Sequence, residues 1–135
     1  MNSEKKKEWL LRYRQALKEV KAARLELQVL WSEAEKITPA LSGLPGGNGR
    51  NEKIPKAVER IAQAKEELQQ KESACAAIYT ETKRAIDALN DTDGRTILSY
   101  HYIVGLKWEQ VADEVGFTLR HTQRRAKEAI ELLKI

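Results

Sequence analysis

From Glu4 to Ile37 the chain contains neither glycine nor proline, and its apolar positions recur every three or four residues. This feature constrains the fold most, because a period near 3.6 lines those residues along one side of an α-helix, whereas a half-buried strand needs a period of 2. Leu10, Tyr13, Leu17, Val20, Leu27, Trp31 and Ala34 form one row, interrupted by Arg24, and Trp9, Ala16, Ala23, Leu30 and Ile37 form a second beside it. A stripe of that width predicts a helix that meets more than one neighbour. At 1.5 Å per residue, such a helix reaches roughly 50 Å.

The segment from Thr38 to Pro55 holds all three prolines and four of the seven glycines. Helix is expected to end there, leaving a loop over 38–55; loops beyond ~12 residues without structure of their own tend to be disordered or functional. Periodicity returns at Ile54, Val58, Ile61, Leu68, Cys75, Tyr79, Thr82, Ile86 and Leu89, with Lys65 and Glu72 as polar interruptions. Two helices of similar length joined by a loop predict a long antiparallel, coiled-coil-like hairpin over residues 1–90. A lone hairpin buries little, so the second row, at Trp9, Leu30 and Ile37, is expected to meet another hairpin. The expected assembly is a homo-oligomer, with a dimer favoured.

Asn90-Asp91-Thr92-Asp93-Gly94 is a cap and turn cluster that places a domain boundary near residue 90. Residues 91–135 then read as three short helices: RTILSYHYIVG closed by Gly105, WEQVADEV closed by Gly116, and a last helix opening at Thr118. With 33% charged and 6% aromatic residues the whole chain is expected to be all-α.

The net charge of +4 is only mildly basic, so its placement matters more than its size. Residues 117–127 carry Arg120, Arg124, Arg125 and Lys127 and no acid. In a helix-turn-helix, a small residue in the first helix lets the second approach, and the turn needs a positive φ; Ala112 and Gly116 supply both. Trp108 is then a core residue of the motif and Thr118 the N-cap of its second helix. Leu119, Arg120, Gln123, Arg124 and Lys127 share an outward face, His121 lies beside it, and Thr122, Ala126, Ala129, Ile130 and Leu133 point the other way. Arginine pairs with guanine, glutamine with adenine, and a capped helix N-terminus favours phosphate, so the face suits the major groove of double-stranded DNA.

These residues also resemble a known family. Arg95 to Thr118, with Leu98, Tyr102, Gly105, Trp108, Ala112 and Gly116 in register, looks like region four of bacterial sigma factors, which reads an upstream promoter element through its last helix. The chain as a whole, including ITPALSGLPGG and the following KIPKAVERI helix, is similar to small phage and prophage proteins grouped with the RinA- and ArpU-like late transcriptional regulators. That resemblance implies a phage or prophage transcription regulator. The chain departs from the motif at Thr122 and Arg125, where aliphatic residues usually anchor the last helix, which leaves open which of Arg124 and Arg125 faces DNA.

Other chemistry finds little support. Cys75 is the single cysteine, so neither a disulfide framework nor a CxxC metal site exists, and a cytoplasmic location is expected. No apolar run approaches the ~18–20 residues of a membrane helix. Without a P-loop, nucleophile motif or plausible carboxylate pair, an enzyme with a catalytic centre, metal or cofactor is not expected. His101 reads as a packed histidine, Trp9 and Trp31 as seam or interface residues, and the Lys5-Lys6-Lys7 run as solvated charge in preference to a contact with DNA phosphates or an acidic partner. Two rival functions remain: a DNA-packaging recognition subunit resembling small terminases, and a module that docks on bacterial RNA polymerase.

Overall fold

The computed structural model describes residues 1–42 and 53–135, with side chains described for 1–37 and 53–135. The elements are α1 (Ser3–Ser42), α2 (Lys53–Asp87), α3 (Thr92–Leu98), a π-helical segment (Ser99–Val104), α4 (Trp108–Val115) and α5 (Leu119–Leu132). Among the described residues there is no strand, and the protein is all-α: a hairpin of two long helices followed by a helical domain.

The ends of the hairpin differ from the expected loop over 38–55. Helix α1 continues through Pro39 to Ser42, and α2 begins at Lys53 with Pro55 inside its first turn. Proline's fixed φ suits a helix, and its missing N–H costs nothing in a first turn, where no carbonyl is available to accept it. The rest of that expected loop, residues 43–52, lies outside the described residues.

The chain divides into two compact units, Met1–Leu17 with Cys75–Ile135, and Lys18–Ala74. In the second, the Arg24 guanidinium lies 3.8 Å from the Glu72 carboxylate, and the Lys65 ammonium sits 5.0 Å from the centre of the Trp31 ring. These pairs climb one helix while descending the other, which makes the helices antiparallel. Val20, Ala23, Ile61 and Ala64 are buried between them, the alanines allowing close approach. Val58, placed on the seam by periodicity, is instead 60% exposed, and Ala64 is buried. Leu30 and Ile37, expected to face another hairpin, are half-buried beside a surface cavity lined by both helices of this unit. The large apolar side chains that remain exposed here are Leu25, Val29, Trp31, Ile54 and Val58.

The first unit places its core where the two long helices meet the three short ones. Leu10 from α1 and Ile86 from α2 are fully buried in one cluster with Ile97, Leu98, Val111 and Ile130, and Trp9 packs against it. A boundary at residue 90 therefore divides this unit's core: three short helices present more apolar surface than they can cover among themselves, and the long helices supply the cover. Two cations of α1 reinforce the join. Lys6 Nζ donates to the carbonyls of Glu131 and Leu133 at 2.9 and 2.8 Å, at the end of α5. Arg14 donates to the carbonyls of Ile103 and Val104, both at 3.4 Å, at the end of the π-helical segment. Each cation meets orphan carbonyls at the negative pole of a helix. Lys6 is thus a cap rather than the solvated charge expected from sequence.

Candidate nucleic-acid interface

Helix α4 ends on Gly116, whose φ of +76° turns the chain; its N–H and that of Phe117 both donate to the Ala112 carbonyl, at 3.0 and 3.1 Å. Glycine enters this left-handed region without the steric cost a Cβ brings. Ala112 is buried at the contact of α4 with its neighbours. Thr118 follows in extended conformation, its hydroxyl accepting from the His121 N–H at 3.1 Å, and α5 begins. The small residue, the glycine turn and the threonine cap thus stand where the sequence reading put them.

Trp108, at the first position of α4, is half-buried and stacks on His101 with ring centres 3.8 Å apart and planes 18° from parallel. His101 donates from Nδ1 to the Leu106 carbonyl at 2.8 Å, which fixes the neutral tautomer with Nε2 unprotonated. Burial holds the imidazole below its ordinary range, and the Arg14 charge pushes in the same direction. Burial also pushes the Cys75 thiol up, leaving it protonated and a poor nucleophile. Among the described residues no group of three or more His, Cys, Asp or Glu side chains is placed to hold a metal ion.

Along α5, Leu119, Arg120, Gln123, Arg124 and Lys127 are exposed, whereas Thr122, Ala126, Ala129 and Ile130 are buried. The face is pre-arranged at one point: Arg124 donates from Nη2 to Nδ1 of His121 at 2.7 Å, and the His121 ring meets Phe117 edge to face at 4.6 Å. Turn residue, histidine and arginine therefore brace one another. Toward the end of the helix, Glu128 and Glu131 are exposed, so the purely cationic stretch ends at Lys127.

Thr122 and Arg125, where the chain departs from the pattern it resembles, are both held by polar contacts. Thr122 is fully buried, its hydroxyl donating to the Thr118 carbonyl at 2.8 Å, which satisfies the group locally. Arg125 turns away from the cationic face. Its Nη2 donates to both oxygens of Asp91 at 2.9 and 3.0 Å, and Asp93 lies 3.7 Å away. Asp91, from the cap and turn cluster, stands at the N-cap position of α3 with no side-chain capping bond; its carboxylate is engaged by Arg125. Of the expected DNA-facing set, Thr118, Leu119, Arg120, His121, Gln123, Arg124 and Lys127 cluster on or beside one surface, and Arg125 is separated from them.

The sequence favoured solvation for the Lys5-Lys6-Lys7 run, whereas α1 reaches this surface. Lys7 lines a surface cavity of about 290 Å³ together with Gln123 and Lys127 of α5. The legible signal was the lysine run one turn ahead of the apolar stripe at Leu10.

No helix among the described residues is long and apolar enough to cross a membrane. Comparison with curated proteins returns no match, and comparison with solved structures returns none. One family profile does match, over residues 45–134, a span that includes α2 to α5. The chain therefore belongs to the family described as a protein of unknown function, DUF1492.

Proposed function

We propose that this protein is a sequence-specific double-stranded DNA-binding regulator of phage or prophage transcription, acting as a homodimer in the bacterial cytoplasm. The observation that carries the reading is the exposed set of Arg120, Gln123, Arg124 and Lys127 in an acid-free stretch at the start of a capped helix that follows a glycine turn. Arg120 and Gln123 are suited to base edges, Arg124 to base or phosphate, Lys127 to phosphate, and the Thr118-capped end to phosphate. Glu128 and Glu131 repel the DNA backbone, so the first two turns enter the groove. The likeness of residues 95–118 to sigma region four supports the same orientation. Dimerisation through the exposed apolar residues Leu25, Val29, Trp31 and Val58 would join two modest interfaces and raise affinity by effective concentration.

Selection from random duplexes across a salt series tests the proposal. A recovered motif, two-fold in a dimer, with affinity falling steeply as salt rises, is the expected result. Arg120→Ala and Arg124→Ala are expected to weaken binding by roughly 5- to 150-fold each with helical content intact, at about 1–3 kcal/mol per good contact. Unchanged affinity in both would refute the reading face. Rings of many subunits would favour the packaging reading, and capture of RNA polymerase without DNA binding would favour the docking reading.

A further inference from the structure

The cavity beside α5 combines residues from parts of the chain that sequence reading kept apart. Lys7 comes from the second turn of α1, Gln123 and Lys127 from the outward face of α5, and Trp108 and Tyr102 form its wall. Lys7 is held there by its neighbours: Leu10, one turn on, is fully buried, and Lys6 is tied to the carbonyls of Glu131 and Leu133. The backbone of this turn is therefore anchored to α5, and the Lys7 ammonium has only its own side chain through which to move.

The electrostatics favour an anion. No carboxylate lines the cavity. Burial pushes the Tyr102 phenol up, so it stays neutral at physiological pH. Among the described residues Lys7 has one ion-pair partner, the exposed Glu4 at 3.6 Å, and surface pairs of that kind are weak. Among the described residues Lys127 has no ion pair. Two ammonium groups lining one cavity repel, and a bound anion removes that cost. Through Gln123 and Lys127 the cavity adjoins the Arg120–Arg124 face of the same helix.

We infer that Lys7 and Lys127 form a phosphate-binding site for the DNA backbone beside the recognition helix, making the first helix part of the nucleic-acid interface. The inference rests on the DNA-binding reading above and adds a contact that the helix-turn-helix alone lacks. Phosphate contacts position a protein on the duplex without reading sequence. Lys7 therefore sets affinity and register, while Arg120 contributes to selectivity.

The test is binding of the full chain to a random-sequence duplex over a salt series, for wild type, Lys7→Gln, Lys127→Gln and the double variant. Each lost phosphate contact lowers the slope of log affinity against log salt by about 0.9, so the double variant should lose about 1.8. The sequence recovered by selection should stay the same for Lys7→Gln. Glu4→Gln is the companion variant: it removes the competing carboxylate, and affinity should hold or rise. An unchanged slope in Lys7→Gln, with wild type binding and Arg120→Ala impaired, overturns this inference alone. Weakening by Glu4→Gln equal to that of Lys7→Gln overturns it too, because the effect would then come from the helix-end pair. Absence of any salt-dependent binding by wild type overturns the inference together with the DNA-binding reading.

Discussion

Removing Arg125 separates two roles that look alike in the sequence. Its guanidinium makes two charge-assisted hydrogen bonds to Asp91, and both side chains are 27% exposed. Breaking a fully buried pair costs about 3–5 kcal/mol, and an exposed pair is worth about 0–1. The remaining exposure lets water re-solvate the abandoned Asp91 carboxylate in part, so Arg125→Ala is expected to cost about 1.5–3 kcal/mol. For a chain of this size that is a fall in Tm of roughly 5–12 °C. Urea or thermal unfolding of Arg125→Ala, Asp91→Ala and the double variant, at one fixed protein concentration, gives the coupling energy, expected at about 1–2 kcal/mol. The salt slope of DNA binding should stay at the wild-type value in Arg125→Ala. Additive single effects, with coupling below about 0.5 kcal/mol, would refute the clamp. Unchanged Tm with lost DNA affinity would return Arg125 to the contact face.

Two further expectations follow from the same unit. Leu10→Ala empties a fully buried site shared by α1 and the short helices and should cost about 2–5 kcal/mol; hydrogen exchange should show α5 amides losing protection with those of α1, and unchanged α5 protection would show that α1 is not part of that core. His101, held below its ordinary value of 6.5 chiefly by burial, binds its proton more readily in the unfolded chain. Its contribution is therefore complete above about pH 6.5 and falls as pH drops through that value toward the folded one. His101→Gln should flatten the stability profile between pH 7 and 5, and an equally steep profile in the variant would assign the dependence to other groups.

Much of the fold was legible because helix formation is a local matter. The 3–4 spacing through Val20, Leu27 and Ile61, and the glycines that close the helices at Gly105 and Gly116, each concern residues within a turn or two of one another. The same holds for the Thr118 cap and for the outward set of Arg120, Gln123, Arg124 and Lys127, since the period of α5 and its acid-free stretch reveal that face without reference to any neighbour. Helix ends were less legible: proline is costly inside a helix and nearly free in a first turn, and spacing does not say which applies at Pro55.

What only the tertiary structure decided depends on which distant residue each side chain meets. Arg124 and Arg125 are adjacent and chemically identical, yet one joins His121 on the open face and the other reaches Asp91, 34 positions away. Lys6 and Lys7 belong to one basic run; Lys6 caps a helix end 127 positions away, and Lys7 lines a cavity with Lys127. The boundary near residue 90 fell within a unit because the burial that stabilises three short helices comes from Leu10 and Ile86. Periodicity and caps determine where helices run and which faces are apolar, since those depend on neighbours along the chain. The partners of individual charges, and the helix that covers a given core, are settled only when the chain path brings remote carboxylates and carbonyls within hydrogen-bond reach.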